Sequence, residues 1–313
     1  MVPYARTHDQ RRSGEDLIRL GGLPMLRFDG KVALITGAGR GLGRSHAELL
    51  AERGAAVVIN DLDSAAAQEA VSAITAAGGR AAVATGDITK DAEAVVNAAV
   101  DAFGRLDIVV NNAGVDSPSP FGPTAVDSIR RHMEINFLGT VAVTAAAWPH
   151  LVANSGRVVN TCSPTLSGWE GESAYVASKG AVYVFTRTVS IAALKSGVRV
   201  NAIAPTAYTR MASEADLPDA LKENLKANYT TAMVSPIVAY LAYEECSISG
   251  ETILAQGGLI QRFSLAMNDG YTNTEITPED VKDHLEEILD DSSAKPLGVV
   301  GSESETSLLD LFE

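Results

Sequence analysis

Cysteine is scarce in this sequence, with only Cys162 and Cys246 among 313 residues. Two thiols are too few for a disulfide framework or a cysteine metal cluster, so we expect neither and predict no metal cofactor. Chains without a disulfide framework are typical of reducing compartments. A cytoplasmic location is therefore expected.

Long apolar runs are also missing. No stretch approaches the ~18 uninterrupted apolar residues that a transmembrane helix requires, so we expect no membrane partner. The first 27 residues contain five arginines. They lack the apolar segment of a secretory signal, so residues 1–27 are predicted to form a loose N-terminal arm.

Positive charge is outnumbered, with 25 Lys and Arg against 39 Asp and Glu and a net charge of −14. Nucleic acid attracts basic proteins, so this balance argues against nucleic acid as a partner. From residue 264 to the end there are thirteen acidic residues and two lysines. We therefore expect a solvated acidic extension over residues 263–313.

The sequence does contain a regular alternation of short apolar runs and helical stretches. Runs typical of buried strands lie at 32–36, 56–60, 81–84, 108–110, 157–160, 198–203 and, more weakly, 252–255. Helices are predicted at 44–53, 64–77, 92–103, 127–151, 174–195 and 280–289, and a lid over the substrate at 206–229. The alternation predicts an α/β fold with a doubly wound parallel (Rossmann) sheet. We expect a single domain over residues 28–262 with a C-terminal helical extension.

A glycine-rich turn, TGAGRGLG at 36–43, joins the first run to the first helix. Its glycines would let the backbone approach a pyrophosphate seated on the helix N-terminus. The cofactor-binding residues predicted in this turn are Gly37, Arg40, Gly41, Leu42 and Gly43.

Asp61 ends the second predicted strand. A carboxylate there can accept hydrogen bonds from the hydroxyls of an adenosine ribose, and it repels a 2′-phosphate. Arg40 argues the other way, because a cation in the glycine turn can bind a 2′-phosphate. The Asp61 charge would face the phosphate more directly, so we predict NAD rather than NADP.

Two further turns follow the third and fourth strands. Asp87 and Ile88 come after the third and are expected to contact the adenine. Asn112, Ala113 and Gly114 come after the fourth, where small residues would let a cofactor lie close to the backbone.

Tyr175 and Lys179 are four residues apart on a predicted helix and so share one face. A phenol with a pKa near ~10 is a poor acid or base at neutral pH. A neighbouring ammonium would lower that pKa toward the working range. A surface lysine beside a half-buried tyrosine gives the same spacing, so the pair needs support from other motifs.

Taken together, these motifs resemble those of the short-chain dehydrogenase/reductase family over roughly residues 27–260. The matching segments are TGAGRGLG at 36–43, NNAG at 111–114, Asn136, Ser163 after NTC at 160–162, and YVASK at 175–179. The resemblance implies that Tyr175 is the proton donor and acceptor, and that Lys179 lowers its pKa and holds the nicotinamide ribose. It also implies that Ser163 orients the substrate oxygen and that Asn136 anchors a water next to Lys179.

Two positions depart from the family pattern. The interval between Ser163 and Tyr175 is one residue shorter than in many members, and counting back from Tyr175 would select Cys162 instead. The resemblance of NTCS to the usual strand end favours Ser163. Pro205 and Thr209 are expected on the nicotinamide side, with Thr206 where the family usually has glycine.

A narrower resemblance is to the (3R)-hydroxyacyl-CoA dehydrogenase branch of this family. It rests on short segments, RFDGK at 27–31, VINDL at 58–62, IAPTAYTRM at 203–211, PIVAYL at 236–241 and ITPEDV at 276–281. It implies NAD-dependent oxidation of a small-molecule substrate, an acyl-CoA. A 17β-hydroxysteroid dehydrogenase or a 3-oxoacyl reductase is the alternative enzyme, and a catalytically idle nucleotide sensor or scaffold the alternative class.

The two helices predicted at 127–151 and 174–195 are rich in small apolar residues along more than one stripe. A sheet covers one side of such a helix, and a second subunit can cover the other. We therefore expect a homodimer or homotetramer, with deeper burial within one chain as the alternative.

Overall fold

The computed structural model describes residues 19–20, 23–123, 125–214 and 218–298. Most of the predicted N-terminal arm, and the acidic tail beyond residue 298, lie outside these residues. The arm and domain boundaries therefore stay predictions.

An eight-stranded sheet forms the centre of the molecule. Its strands are β1 Val32–Ile35, β2 Ala56–Asp61, β3 Arg80–Thr85, β4 Ile108–Asn111, β5 Arg157–Thr161, β6 Arg199–Thr206, β7 Thr252–Gln256 and β8 Leu259–Phe263. Their order across the sheet is β8-β7-β6-β5-β4-β1-β2-β3. Every neighbouring pair from β3 to β7 is parallel. The doubly wound Rossmann sheet predicted from the sequence is therefore confirmed.

The eighth strand was not predicted, and it departs from the parallel arrangement. It pairs antiparallel with β7 through a turn at Gly257 and Gly258. Both glycines have positive φ, +54° and +86°, as a two-residue hairpin turn of this hand requires. The strand lies at an edge and is largely exposed, so it lacks the apolar pattern that identified the others.

Helices cover both faces of the sheet. They are α1 Gly41–Glu52, α2 Ser64–Ala76, α3 Ala92–Phe103, α4 Ala125–His132, α5 Gly139–Asn154, α6 Ser173–Ala193, α7 Arg210–Glu214, α8 Asp219–Asn228, α9 Ser235–Ala242, α10 Pro278–Asp283 and α11 Leu285–Ile288. The helix predicted at 127–151 is α4 and α5, joined by a π-helical turn at Met133–Leu138. The predicted lid region contains α7 and α8.

Strand β1 explains how the core is divided. All four of its residues are buried. Ala33 and Ile35 pack in the cluster that contains α1, while Val32 and Leu34 pack in the cluster that contains α3. Side chains alternate across a strand, so a strand covered on both faces must be apolar throughout.

The helical run 125–154 is, among the described residues, the one helix whose length and composition would also suit a membrane span. Much of its apolar content has a place in this fold. Val143, Ala147 and Leu151 are fully buried against the sheet. The core helix of an α/β domain needs such a face.

The structure describes the C-terminal extension as far as residue 298. A short strand β9, Ala266–Met267, pairs with β10, Lys295–Pro296. Thr277 and Asp280 form the reciprocal cap that starts α10. The single helix expected at 280–289 is interrupted at His284, which ends α10.

The extension is fixed to α6. The Arg187 guanidinium donates to the carbonyls of Leu297 and Gly298 at 2.8 and 2.9 Å. One turn earlier, the ring of Tyr183 meets Phe263 edge to face, with centroids 5.7 Å apart. Lys179 lies one further turn back on the same face, so the extension packs along the helix that carries this lysine.

Candidate active site

A cavity of about 550 Å³ opens at the carboxyl ends of the parallel strands, where ligands of open α/β sheets bind. Its wall brings together all but one of the predicted cofactor-binding residues. They are Gly37, Arg40, Gly41, Leu42, Asp61, Asp87, Ile88, Asn112, Ala113, Gly114, Tyr175, Lys179, Pro205 and Thr209.

The exception is Gly43, which was predicted to bind the cofactor and does not line the cavity. A Cβ at this position would lie 2.5 Å from both the Asn112 side-chain nitrogen and the Gly37 carbonyl oxygen. Gly43 thus lets α1 pack closely against the strand ends, and its contact with the cofactor stays a prediction. Gly37 does face the cavity, has φ +60°, and would place a Cβ 2.8 Å from the Ala113 Cα.

Hydrogen bonds join the glycine turn to the turn after β4. The Thr36 hydroxyl accepts from the backbone N–H groups of Asn112 and Ala113, both at 3.0 Å. The Asn112 amide donates to the carbonyls of Thr36 and Gly37 at 2.9 and 3.0 Å. The two turns thus form one rigid wall at the point where the strand order reverses. Thr36 was not singled out from the sequence, because its partners lie 76 residues away.

Asp61 is held at the cavity edge by backbone donors. Its two carboxylate oxygens accept from the N–H groups of Gly39 at 2.9 Å and Asp63 at 3.0 Å. Arg40 points to a different carboxylate, pairing with Asp63 at 2.7 Å. This hydrogen bond lowers the pKa of Asp63. The cation expected to attract a 2′-phosphate therefore already has an anionic partner.

Tyr175 and Lys179 share one face of α6 as predicted. The Lys179 ammonium lies 5.7 Å from the centre of the Tyr175 ring and donates to the Thr161 carbonyl at 2.8 Å. Burial lowers the pKa of Lys179 to about 8. Burial also raises the pKa of Tyr175 above its ordinary value. Burial is the largest cause of this rise, and Lys179 is not among the groups that shift the Tyr175 pKa, so the lowering by Lys179 stays a prediction.

The structure separates the two candidates for the third position. Ser163 lies near the Tyr175 phenol and partly offsets the rise in the Tyr175 pKa, while its hydroxyl lies 2.8 Å from the Thr165 hydroxyl. Cys162 packs with Val182 and Ala202, and burial raises the pKa of its thiol to about 12. The geometry therefore favours Ser163 as the partner of Tyr175.

Asn136 is fully buried in the π-helical turn between α4 and α5. Its side chain accepts from the Val115 N–H at 2.7 Å and donates to the Val115 carbonyl and the Ser178 hydroxyl, both at 2.9 Å. A Cβ on Gly114 would lie 3.1 Å from the Asn136 oxygen and 3.4 Å from the Lys179 nitrogen. Asn136 and Lys179 therefore meet across Gly114.

Two carboxylates beside Tyr175 were missed in the sequence. Asp116 and Glu172 each raise the pKa of Tyr175. Burial raises the pKa of Asp116, and one of its oxygens is buried without a partner among the described residues. Both lie in loops with no recognisable pattern, so only the fold brings them to the tyrosine.

Comparison with known proteins agrees with this geometry. The model of the family described as short chain dehydrogenase matches residues 31–219. The chain belongs to the short-chain dehydrogenase family. It is accordingly an oxidoreductase that uses a nicotinamide dinucleotide.

Several curated relatives of this short-chain dehydrogenase are parts of larger enzymes. Peroxisomal multifunctional enzyme type 2 of Mus musculus is 38% identical over 86% of this chain and 38% of that protein. Its Drosophila melanogaster counterpart is 37% identical over 92% of this chain and 50% of that protein. The chain thus spans half or less of these relatives. A short-chain type dehydrogenase/reductase of Mycobacterium tuberculosis is 37% identical and is covered over 97% of its length.

Solved structures of short-chain dehydrogenases agree as well. The full-length Drosophila melanogaster enzyme superposes with a TM-score of 0.73 and 31% identity, covering 88% of this chain and 48% of that one. A 7α-hydroxysteroid dehydrogenase complexed with NADH and 7-oxo glycochenodeoxycholic acid gives 0.69 and 29%, covering 74% and 95%.

The residues of this short-chain dehydrogenase fit the dinucleotide. Gly37 lies at the cavity wall, where a Cβ would be 2.8 Å from the Ala113 Cα. The Arg40 side chain does not cap α1, so the first N–H groups of this helix can donate to a pyrophosphate. The Thr161 hydroxyl is buried in the cavity wall without a partner among the described residues. Such a group is suited to a ligand that supplies the missing hydrogen bond.

Proposed function

We propose that this short-chain dehydrogenase oxidises a (3R)-3-hydroxyacyl-CoA to the 3-ketoacyl thioester with NAD. The observation that carries the proposal is similarity to the peroxisomal multifunctional enzymes along 86% and 92% of this chain. The similarity extends beyond the family motifs into the C-terminal extension. The step proposed for these residues is the dehydrogenase step.

NAD, when bound, accepts a hydride from the carbinol carbon of the substrate. Tyr175, at the cavity wall, acts as the phenolate: it accepts the hydroxyl proton of the substrate and becomes the neutral phenol, with Ser163 beside it. Ser163 donates a hydrogen bond to the substrate oxygen as it becomes a carbonyl. Burial lowers the pKa of Lys179 to about 8, so its ammonium can lose and regain a proton near neutral pH.

The carboxylates at the second strand support NAD over NADP. Asp61 lies at the cavity edge, and Arg40 is paired with Asp63. A 2′-phosphate would therefore meet two carboxylates and a cation that is already paired. A ribose with two free hydroxyls would instead find in Asp61 an acceptor held in place by two backbone N–H groups.

A substrate panel tests the proposal. Production of NADH should occur with (3R)-3-hydroxyacyl-CoAs and be much slower with the (3S) isomers. Turnover of hydroxysteroids alone would favour the second candidate, a hydroxysteroid dehydrogenase, which the similarity to the 7α-hydroxysteroid enzyme supports. If no alcohol were oxidised, the proposed function would be wrong and the idle nucleotide sensor would be favoured.

Tyr175→Phe tests the mechanism directly. Loss of the proton-transfer group should lower kcat by about 10²–10⁴-fold, while the Kd for NAD stays close to that of the unmodified protein. Tyr240→Phe is the matched control, because Tyr240 is 45% exposed on α9 and outside the cavity. A Tyr175→Phe variant with normal turnover would contradict the assigned role.

A homodimer or homotetramer is part of the proposal. Apolar side chains remain exposed on α4, the π-helical turn and α5, where Val126, Leu138 and Val152 are 54%, 46% and 40% exposed. Val184 and Ile191 on α6 are 55% and 38% exposed. A second copy would remove these surfaces from water. Sedimentation of the protein as a monomer would contradict the proposed oligomer.

The cytoplasmic location and the absence of a membrane partner stay predictions.

A further inference from the structure

The loop after β4 runs beside the segment that precedes α6, and Ser119 joins the two. The Ser119 N–H donates to the Gly171 carbonyl at 2.7 Å. The Ser119 carbonyl accepts from the Ser173 N–H at 3.2 Å and from the Ser173 hydroxyl at 2.8 Å. The Ser119 hydroxyl accepts from the Ala174 N–H at 3.1 Å.

The last of these bonds caps the N-terminus of α6. The first N–H groups of a helix have no partner within the helix and are usually capped by the residue just before it. That residue is Glu172, whose side chain makes no capping hydrogen bond. Ser119, 55 residues earlier in the chain from Ala174, supplies the cap instead. Its side chain is almost fully buried, at 3% exposure, so water does not compete for it.

The position of this cap matters because Tyr175 is the third residue of α6. The aligned N–H groups of a first turn also favour negative charge close to it. At its other end, the same loop is fixed to Asn136 through Val115 and leads back to the cavity wall at Gly114. The loop therefore connects the cofactor wall to the turn that bears Tyr175.

We propose that Ser119 is a positioning residue, whose hydroxyl caps α6 from the neighbouring loop and holds the first turn, with Tyr175, in register with the cofactor wall. The proposal rests on the dehydrogenase activity but not on which alcohol is oxidised. Ser119 acts through Tyr175 and not on the substrate, because its hydroxyl accepts the hydrogen bond from the Ala174 N–H. Apart from Ser163, the groups that face Tyr175 are Lys179 on α6, Cys162 after β5, and the flanking carboxylates Asp116 and Glu172. The substitutions used below leave all of them unchanged.

Ser119→Ala tests the proposal, with Ser117→Ala as the matched control on the same loop. The Ser117 hydroxyl lies 3.4 Å from a His132 ring nitrogen and is not part of the cap. Ser119→Ala should lower kcat about fivefold, the factor by which losing a typical helix cap reduces the population of the capped first turn, with little change in the KM for NAD. The midpoint of the kcat–pH profile should move to higher pH. Without the cap, the N–H groups of the first turn are less well aligned and stabilise the Tyr175 phenolate less. Ser119→Thr, which keeps the hydroxyl, should restore both.

Hydrogen exchange provides a readout that needs no substrate. Exchange in the peptide covering residues 173–178 should be faster in Ser119→Ala and unchanged in Ser117→Ala. This result separates the proposal from the assigned substrate, because it can be obtained even if no hydroxyacyl-CoA is oxidised. Normal exchange and a normal pH midpoint in Ser119→Ala, or equal losses in both variants, would overturn the proposal.

A second variant covers the case in which Ser119→Ala does not fold. Ser173→Ala removes only the 2.8 Å bond from the Ser173 hydroxyl to the Ser119 carbonyl. It should move the midpoint of the kcat–pH profile to higher pH, while the midpoint of Ser119→Thr stays normal. A shifted midpoint in Ser119→Thr together with a normal midpoint in Ser173→Ala would contradict the proposal.

Discussion

Replacing Asp61 by asparagine should largely remove the discrimination between NAD and NADP. The carboxylate is fixed at the cavity edge by the N–H groups of Gly39 and Asp63 at 2.9 and 3.0 Å. A 2′-phosphate on the ribose would lie next to it. The substitution keeps the size of the side chain and removes its charge. Because an amide nitrogen cannot accept a hydrogen bond, it also removes one of the two bonds from the backbone N–H groups.

The magnitude follows from Coulomb's law. Two unit charges about 4 Å apart repel by about 4 kcal/mol at an effective dielectric constant near 20. Asp61 is partly exposed, and solvent screening reduces this to about 2 kcal/mol, or about 30-fold. Hydrogen bonds from the ribose hydroxyls to a charged acceptor add about 1.5–3 kcal/mol in favour of NAD. The unmodified enzyme should therefore prefer NAD about 10³-fold in kcat/KM.

The assay is kcat/KM for each cofactor at saturating alcohol. Asp61→Asn should bring the ratio to within about tenfold of unity, because the repulsion is removed and the ribose bonds are weakened. Asp101→Asn is the control, since this carboxylate is exposed on α3 and away from the cavity. An unchanged ratio in Asp61→Asn, or a preference for NADP in the unmodified enzyme, would refute the reasoning.

Asp63→Asn extends the same test. Asparagine caps a helix about as well as aspartate, so α2 should keep its start while Arg40 loses its anionic partner. Combined with Asp61→Asn, this change should raise kcat/KM for NADP further, because the freed guanidinium can bind the 2′-phosphate. No further gain would show that the ion pair of Arg40 and Asp63 does not influence selectivity.

Two further predictions concern stability. Gly37→Ala should lower the free energy of unfolding by about 2–4 kcal/mol, from a strained positive φ and a contact 2.8 Å from the Ala113 Cα. Gly30→Ala should cost only about 1–2 kcal/mol in the same denaturant titration, because its φ is also positive but nothing lies near the added methyl; equal losses would argue against the contact. Because burial lowers the pKa of Lys179 from 10.5 to about 8, the unfolded chain holds this proton between these values, and Lys179 contributes a rise in the free energy of unfolding as pH increases from 8 towards 9.5. The buried Cys162 thiol, whose pKa is raised to about 12, opposes this rise. Lys179→Met should reduce that rise, and an identical slope in both proteins would contradict the lowered pKa.

The sheet could be predicted from the sequence wherever a strand is buried on both faces. Such strands are continuous apolar runs, and β1 is buried at every position. Strand β8 could not be found this way, because four of its five residues are exposed. Its pairing depends on a Gly257–Gly258 turn and on the free edge of β7, and that edge exists only once the sheet has formed.

Motif residues of the site were predicted because local rules fix them. Residues four apart on a helix share a face, which places Tyr175 and Lys179 together. A position with positive φ close to another backbone requires glycine, which explains Gly37. The sequence does not separate these two roles at Gly43, because a glycine needed for packing looks identical to one needed for a ligand.

The sequence by itself thus determined the order of strands and helices, the glycine turn, the carboxylate at Asp61 and the pair Tyr175 and Lys179. These follow from periodicity and backbone conformation, which act over a few residues. Only the tertiary structure decided that Arg40 pairs with Asp63, and that Ser119 caps the helix of Tyr175. It also placed Asp116 and Glu172 beside that tyrosine. Most of these contacts join residues far apart in the chain, and burial, which raises the pKa of Tyr175 and lowers that of Lys179, is a property of the whole packed fold.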